Sequence, residues 1–192
     1  MAYFFDESEQ IGIITDLTPA RRAFDMTRRA YLTVAVEMEM KFPNLPGTPA
    51  LFNYLAKEAE DDEEKLASWI RRFDRSRPSP EEDLDDDVAL PGQPRDAEPE
   101  IYFRERFNTN PTTKGAYDLM IDIEQHVDDY IEVVKGLQHR CQDTEGFDFL
   151  TRLQERVVSR RERLARFATR LSNTDELYAL LIVDVMLESV IP

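Results

Sequence analysis

Several residue types that usually mark a function are scarce in this chain. A single cysteine, Cys141, excludes a disulfide framework within the chain and fits a reducing compartment. It ends an apolar helical stripe, the place of a core side chain rather than a nucleophile. Histidine is limited to His126 and His139, and no Cys/His spacing suits zinc. There is no phosphate-cradling glycine loop, and nothing around Ser159 or Ser172 suggests a Ser–His–Asp arrangement. Long hydrophobic runs are missing too. The most apolar stretch, Leu177 to Leu187, is broken by Asp184 and too short to cross a bilayer. No basic region followed by an apolar one opens the chain, so a soluble, cytoplasmic protein is expected.

Basic clusters are equally scarce. The net charge is −15, and between Ser76 and Glu100 nine acids face only Arg77 and Arg95. Such a surface repels nucleic acid and anionic membranes, because phosphate binding relies on grouped Lys and Arg. It suits cations or a basic protein partner. Mimicry of nucleic acid is one form such a partnership could take, with binding that falls steeply in salt.

Helix formers are abundant. Only six glycines punctuate 192 residues, no strand pattern is present, and stretches rich in Ala, Leu, Glu, Arg and Met predict an all-α chain. This length holds one domain with a proper core. Thr18 and Pro19 give a helix-start signal, followed by an apolar face at Phe24, Tyr31, Val34, Ala35 and Met38. Pro43 and Pro46 end that helix. Thr48 and Pro49 start a second, with Leu51, Tyr54, Leu55, Leu66, Trp69, Ile70 and Phe73 on one face. Residues 76–111 are acidic and proline-rich, and are expected to form an irregular crossing pinned to the bundle by Ile101, Tyr102, Phe103 and Phe107.

A third helix is expected from Thr112 or Thr113 to about Cys141, a turn at Gly146, and a fourth helix from Phe147 to Leu171. A short apolar element closes the chain, with twelve of fifteen residues apolar from Leu177 to Ile191. The expected divisions are therefore an extension over 1–17, a bundle over 18–175 and a terminal helix over 176–192. Two short hairpins joined by one long connection make a four-helix bundle with a crossover between its second and third helices. In the run "VEMEMK", Met38 is expected inside and Met40 outside, free to meet a partner.

The short–long–short connection pattern, with its terminal short helix, resembles the ferritin-like superfamily. The second helix, "AKEAEDDEEKLASWIRR", is similar to the ferritin helix that carries Glu-x-x-His. "AYDLMIDIEQHVDDYIEVVKGLQHRCQDTEGFDFLTRLQERV" is similar to the third and fourth ferritin helices, with Glu124 at a ligand position. The resemblance implies a di-iron centre, which needs a carboxylate from each of two helices and Glu-x-x-His from each of the other two. By the same matching, the first-helix ligand position falls on Phe24, and the second-helix pair on Ala59 and Asp62. On the fourth helix Glu155 is followed by Val158 where histidine would stand. His126 lies two residues after Glu124, a spacing at which helical side chains do not meet. A standard ferroxidase centre is therefore not expected, nor an enzyme built on one.

Two readings of the remaining acids follow. In one, displaced ligands at Glu37, Glu58, Asp62, Glu124 and Glu155 hold iron or manganese, with oxygen-only clusters favouring hard ions. In the other, no cofactor is held. Glu60, Asp61, Glu63 and Glu64 then form a wet edge, while Glu58 and Asp62 continue the apolar face and point inward. Buried carboxylates need a cation or a hydrogen-bonding partner. Arg28, Arg160 and Arg161 stand on facing stripes as ion-pair partners for Glu58, Asp62 and Glu124. The protein would then be a binding or assembly component. The equivalent terminal helix of ferritins lies at subunit contacts, which implies a homo-oligomer formed through residues 176–192.

Overall fold

The computed structural model describes residues 7–45, 47–73, 98–140 and 144–173. They form five helices, α1 (Glu7–Lys41), α2 (Gly47–Phe73), α3 (Pro99–Thr109), α4 (Thr113–Arg140) and α5 (Thr144–Asn173), with no strand among them. The apolar element expected over 176–192, and with it the expected oligomer contact, lies outside the described residues.

Helices α1 and α2 make one hairpin, and α4 and α5 the other. The two are joined through α1 against α4 and through side chains of α2 and α5. The expected bundle is present, with three local corrections. Helix α1 begins well before Thr18: Pro19 removes one backbone hydrogen bond, but buried Leu17 and Ala20 keep the apolar face continuous through it. Gly146 lies inside α5 rather than in a turn.

The third correction concerns the crossing, whose last part is helical. Pro99 occupies the first turn of α3, where its missing N–H costs nothing. The next ten residues contain no proline, and Phe103 and Phe107, one turn apart, are buried in the core. Helix α3 runs alongside α1 in the same direction, with Glu100 3.3 Å from Arg29 and Arg104 2.8 Å from Glu37.

Thr112 caps α4, its hydroxyl accepting from the Gly115 N–H at 2.9 Å. Glycine is required there, because a Cβ would stand 2.1 Å from the Asn110 carbonyl oxygen.

The core is divided along the bundle axis. One apolar cluster gathers Tyr31, Met38, Phe52, Phe107, Tyr117 and Phe167 with their neighbours. The other gathers Leu17, Phe24, Leu66, Trp69, Ile131 and Val157 with theirs. Between them lie the buried polar side chains Asp62, Glu124 and Arg160. Four rings, one from each long helix, tie the first cluster together. Tyr31 and Phe52 have centroids 5.9 Å apart, Phe52 and Tyr117 5.2 Å, and Tyr117 and Phe167 5.9 Å.

Candidate functional site: a buried arginine between two carboxylates

Helix α5 carries Arg156, Arg160 and Arg163 at i, i+4 and i+7, a spacing that turns all three toward one side. Arg160 lies between Val157 and Leu164 on the buried face and is fully enclosed. Its guanidinium holds both opposing carboxylates. Nε donates to Glu124 Oε1 at 2.7 Å, Nη2 to Glu124 Oε2 at 3.3 Å, and Nη1 to Asp62 Oδ2 at 2.5 Å. The Glu124 contact is the bidentate fork that suits arginine better than lysine. The Arg160 guanidinium carbon lies 6.0 Å from the centre of the Phe24 ring, close enough for a cation–π contribution.

The remaining contacts complete the charge balance. Tyr31 donates its hydroxyl to Glu124 Oε1 at 2.7 Å. Arg156 Nε stands 2.5 Å from Asp62 Oδ1 but off the line a hydrogen bond needs, so that contact is electrostatic. Lys65 Nζ is 3.5 Å from the same oxygen. Two negative groups thus meet two arginines and a lysine, with Arg160 sealed and Arg156 and Lys65 partly exposed. Burial opposes the charge on Arg160, but Glu124, Tyr31 and Asp62 together raise its pKa above the ordinary arginine value. It is a fixed cation at every pH the fold survives.

Burial first, and then the charge of Glu124, push the Tyr31 phenol well above its usual value near 10. A folded-state pKa above the unfolded one gives stability that is fully present below about pH 10 and is lost as pH rises through the folded value. Tyr31→Phe leaves Glu124 without one of its donors and is expected to cost about 1.5–3 kcal/mol near neutrality. The gap between wild type and variant should close above about pH 10. Urea titrations of both proteins across the alkaline range measure this; a gap that stays constant would contradict it.

The other candidates of the sequence lie elsewhere. Arg28 pairs with Asp25 on its own helix at 2.7 Å instead of reaching the centre, because it sits on the half-exposed shoulder of α1. Arg161 points sideways to Asp128 at 2.7 Å and to Gln125. Glu58 is half-buried and is held at 2.5 Å by Arg163, one turn from Arg160. Of the wet edge, Glu60, Asp61 and Glu64 are exposed and Glu63 pairs with Arg21 at 2.8 Å.

The displaced metal ligands do not converge. Glu37 is committed to Arg104, Glu155 is exposed, and only Asp62 and Glu124 share a centre. Among the described residues no group of three or more His, Cys, Asp or Glu side chains could hold a metal ion. His126 Nδ1 lies 2.6 Å from the Asp122 carbonyl oxygen, one turn back on its own helix.

Three contributors escaped the sequence reading: Tyr31, Arg156 and Arg163. Tyr31 counted only as apolar, although a buried tyrosine hydroxyl needs a partner. The two arginines were legible in the spacing of α5 around Arg160.

No family model and no curated protein sequence matches the chain. Solved structures of a ferritin, PmFTN, do match in fold. One PmFTN variant soaked in iron for 3 h is 12% identical, with 91% of this chain and 98% of that chain covered and a TM-score of 0.68. A second variant soaked overnight is 13% identical over the same shares, also at 0.68. The second variant soaked for 5 min covers 94% of this chain and 98% of its own at 13% identity and a TM-score of 0.65. The chain has a ferritin-like fold. Among the described residues no helix is long and apolar enough to cross a membrane.

Proposed function

We propose that this ferritin-like bundle is a non-enzymatic binding or assembly component in which an internal guanidinium stands where ferritins keep their iron. The observation that carries the reading is Arg160, fully buried and bonded to both Asp62 and Glu124.

The residues present do not fit an iron pair. Such a pair draws on four helices for carboxylate and imidazole ligands. Here the matched positions on α1 and α2, Phe24 and Ala59, are buried apolar side chains, and Val158 stands where a histidine would follow Glu155. The two remaining acids already face a charge that cannot dissociate. A metal would have to displace a buried, doubly bonded arginine, leaving it uncompensated at a cost of several kcal/mol.

Iron is the decisive probe. Protein purified from iron-supplemented cells is expected to carry none in stoichiometric amount. Adding it to aerobic ferrous iron should not speed oxidation beyond the protein-free rate. A tightly held pair of irons per chain, found by elemental analysis, would overturn the reading in favour of displaced ligands.

A further inference from the structure

One turn from Asp62, a groove of about 460 Å³ opens between α2 and α5. Its walls are Asp61, Glu64, Lys65, Ser68 and Trp69 of α2 with Phe149 of α5. The volume is in the range of small-molecule sites. Trp69 and Phe149 stack with ring centroids 5.3 Å apart and planes 5° from parallel, which makes one wall aromatic.

The charges of the groove are unmatched in one sense. Lys65 is turned to the buried Asp62 at 3.5 Å, and Arg21 is held by Glu63 at 2.8 Å. Asp61 and Glu64 are exposed and form no ion pair among the described residues. At the inner end, the fully enclosed Asp62 keeps Oδ1 without a hydrogen bond, on the side from which Lys65 reaches it. These features call for a hydrogen-bond donor that carries positive charge.

The rest of the groove selects the kind of cation. A hard metal ion gathers about six oxygen ligands around one point. Among the described residues no three acidic, His or Cys side chains converge in that way. Asp61 and Glu64 stand one turn apart on α2, a spacing that puts Cβ atoms about 5–6 Å from each other. Two separated carboxylates beside an aromatic wall match two ammonium groups joined by a short methylene chain. The charges meet the acids, and the chain lies along the rings.

We propose that the α2–α5 groove binds a linear aliphatic oligoamine, with ammonium groups at Asp61 and Glu64 and the methylene chain against Trp69 and Phe149. The groove lies outside the contacts of Arg160, so the inference goes beyond the guanidinium reading. An iron-free chain that ignored amines would leave that reading intact.

Trp69 is the chain's one tryptophan, and its fluorescence reports on this groove. Spermidine added to the full chain at low salt is expected to change that fluorescence saturably. Butylamine, with a single charge, should bind about tenfold more weakly. Asp61→Asn with Glu64→Gln should weaken spermidine binding about tenfold, and Phe149→Leu about two- to fivefold. Glu60→Gln removes the same charge from the exposed surface of α2 outside the groove and should leave binding unchanged. No saturable change in the wild type would overturn the proposal. So would an equal response to magnesium chloride, or an equal loss in Glu60→Gln. Either would reduce the effect to general attraction by a chain of net charge −15.

Discussion

Arg160→Ala is expected to destabilise the chain by about 3–5 kcal/mol, a large share of the stability of a single domain. The loss comes from what remains behind. Asp62 and Glu124 would face each other in the closed centre with no hydrogen-bonded cation between them, and Arg156 reaches only one oxygen of Asp62 from the rim. Replacing all three side chains together, Arg160→Met with Asp62→Leu and Glu124→Leu, is expected to restore stability to near the wild-type level or above it. Urea unfolding of the wild type and the two variants measures both effects. An Arg160→Ala loss below about 1 kcal/mol would mean that the centre is wetter than its burial indicates.

Phe52→Ala is expected to cost about 3–5 kcal/mol. The ring is fully buried and shared: it meets Tyr31 of α1 on one side and Tyr117 of α4 on the other, and Tyr117 continues to Phe167 of α5. Each aromatic pair contributes about 0.5–1.5 kcal/mol beyond the area it buries. Removing the shared member also frees Tyr31, whose hydroxyl holds Glu124. The effect should therefore exceed that of truncating Leu51 beside it, which is equally buried but stands outside the row of rings. Thermal melts of the two variants compare them directly, and equal losses would show that the rings act only as volume.

The long helices were legible because their apolar residues repeat over many turns, and α2 and α4 begin within a residue or two of the threonine signals. The start of α1 was misplaced by a rule that weighs Pro19 locally, whereas the buried face of Leu17 and Ala20 decides it. Helix α3 was hidden by the composition of the crossing. Acid and proline dominate residues 76–98, and a segment-wide average conceals ten consecutive residues free of proline.

At the centre, Asp62 could be read as inward because it continues the face of Leu55 and Leu66. Periodicity finds faces, but it does not fix how far a long side chain reaches. Arg28, Arg160 and Arg161 looked equivalent in the sequence, and only packing separates the enclosed one from the two that turn to Asp25 and Asp128. Glu58 lies one turn before Asp62 on α2 and Arg163 about one turn after Arg160 on antiparallel α5, so Glu58 meets Arg163 at the next level of the bundle.

The charged layer between the two apolar clusters also bears on how the chain finds its own alignment. Rows of Leu, Ala, Val and Ile interlock almost as well after sliding by one helical turn, about 5.4 Å. Arg160 has no such freedom. Moving the α1–α2 hairpin by that distance in one direction would bring Leu66 into the place of Asp62, and would leave Arg160 with Glu124 of its own hairpin as its one carboxylate. Misalignment in that direction breaks one of the two buried ion pairs at a single level of the structure, while the apolar clusters on either side need only be well filled. Greasy surfaces supply the adhesion, and the bond from Arg160 to Asp62 marks the alignment of one hairpin on the other.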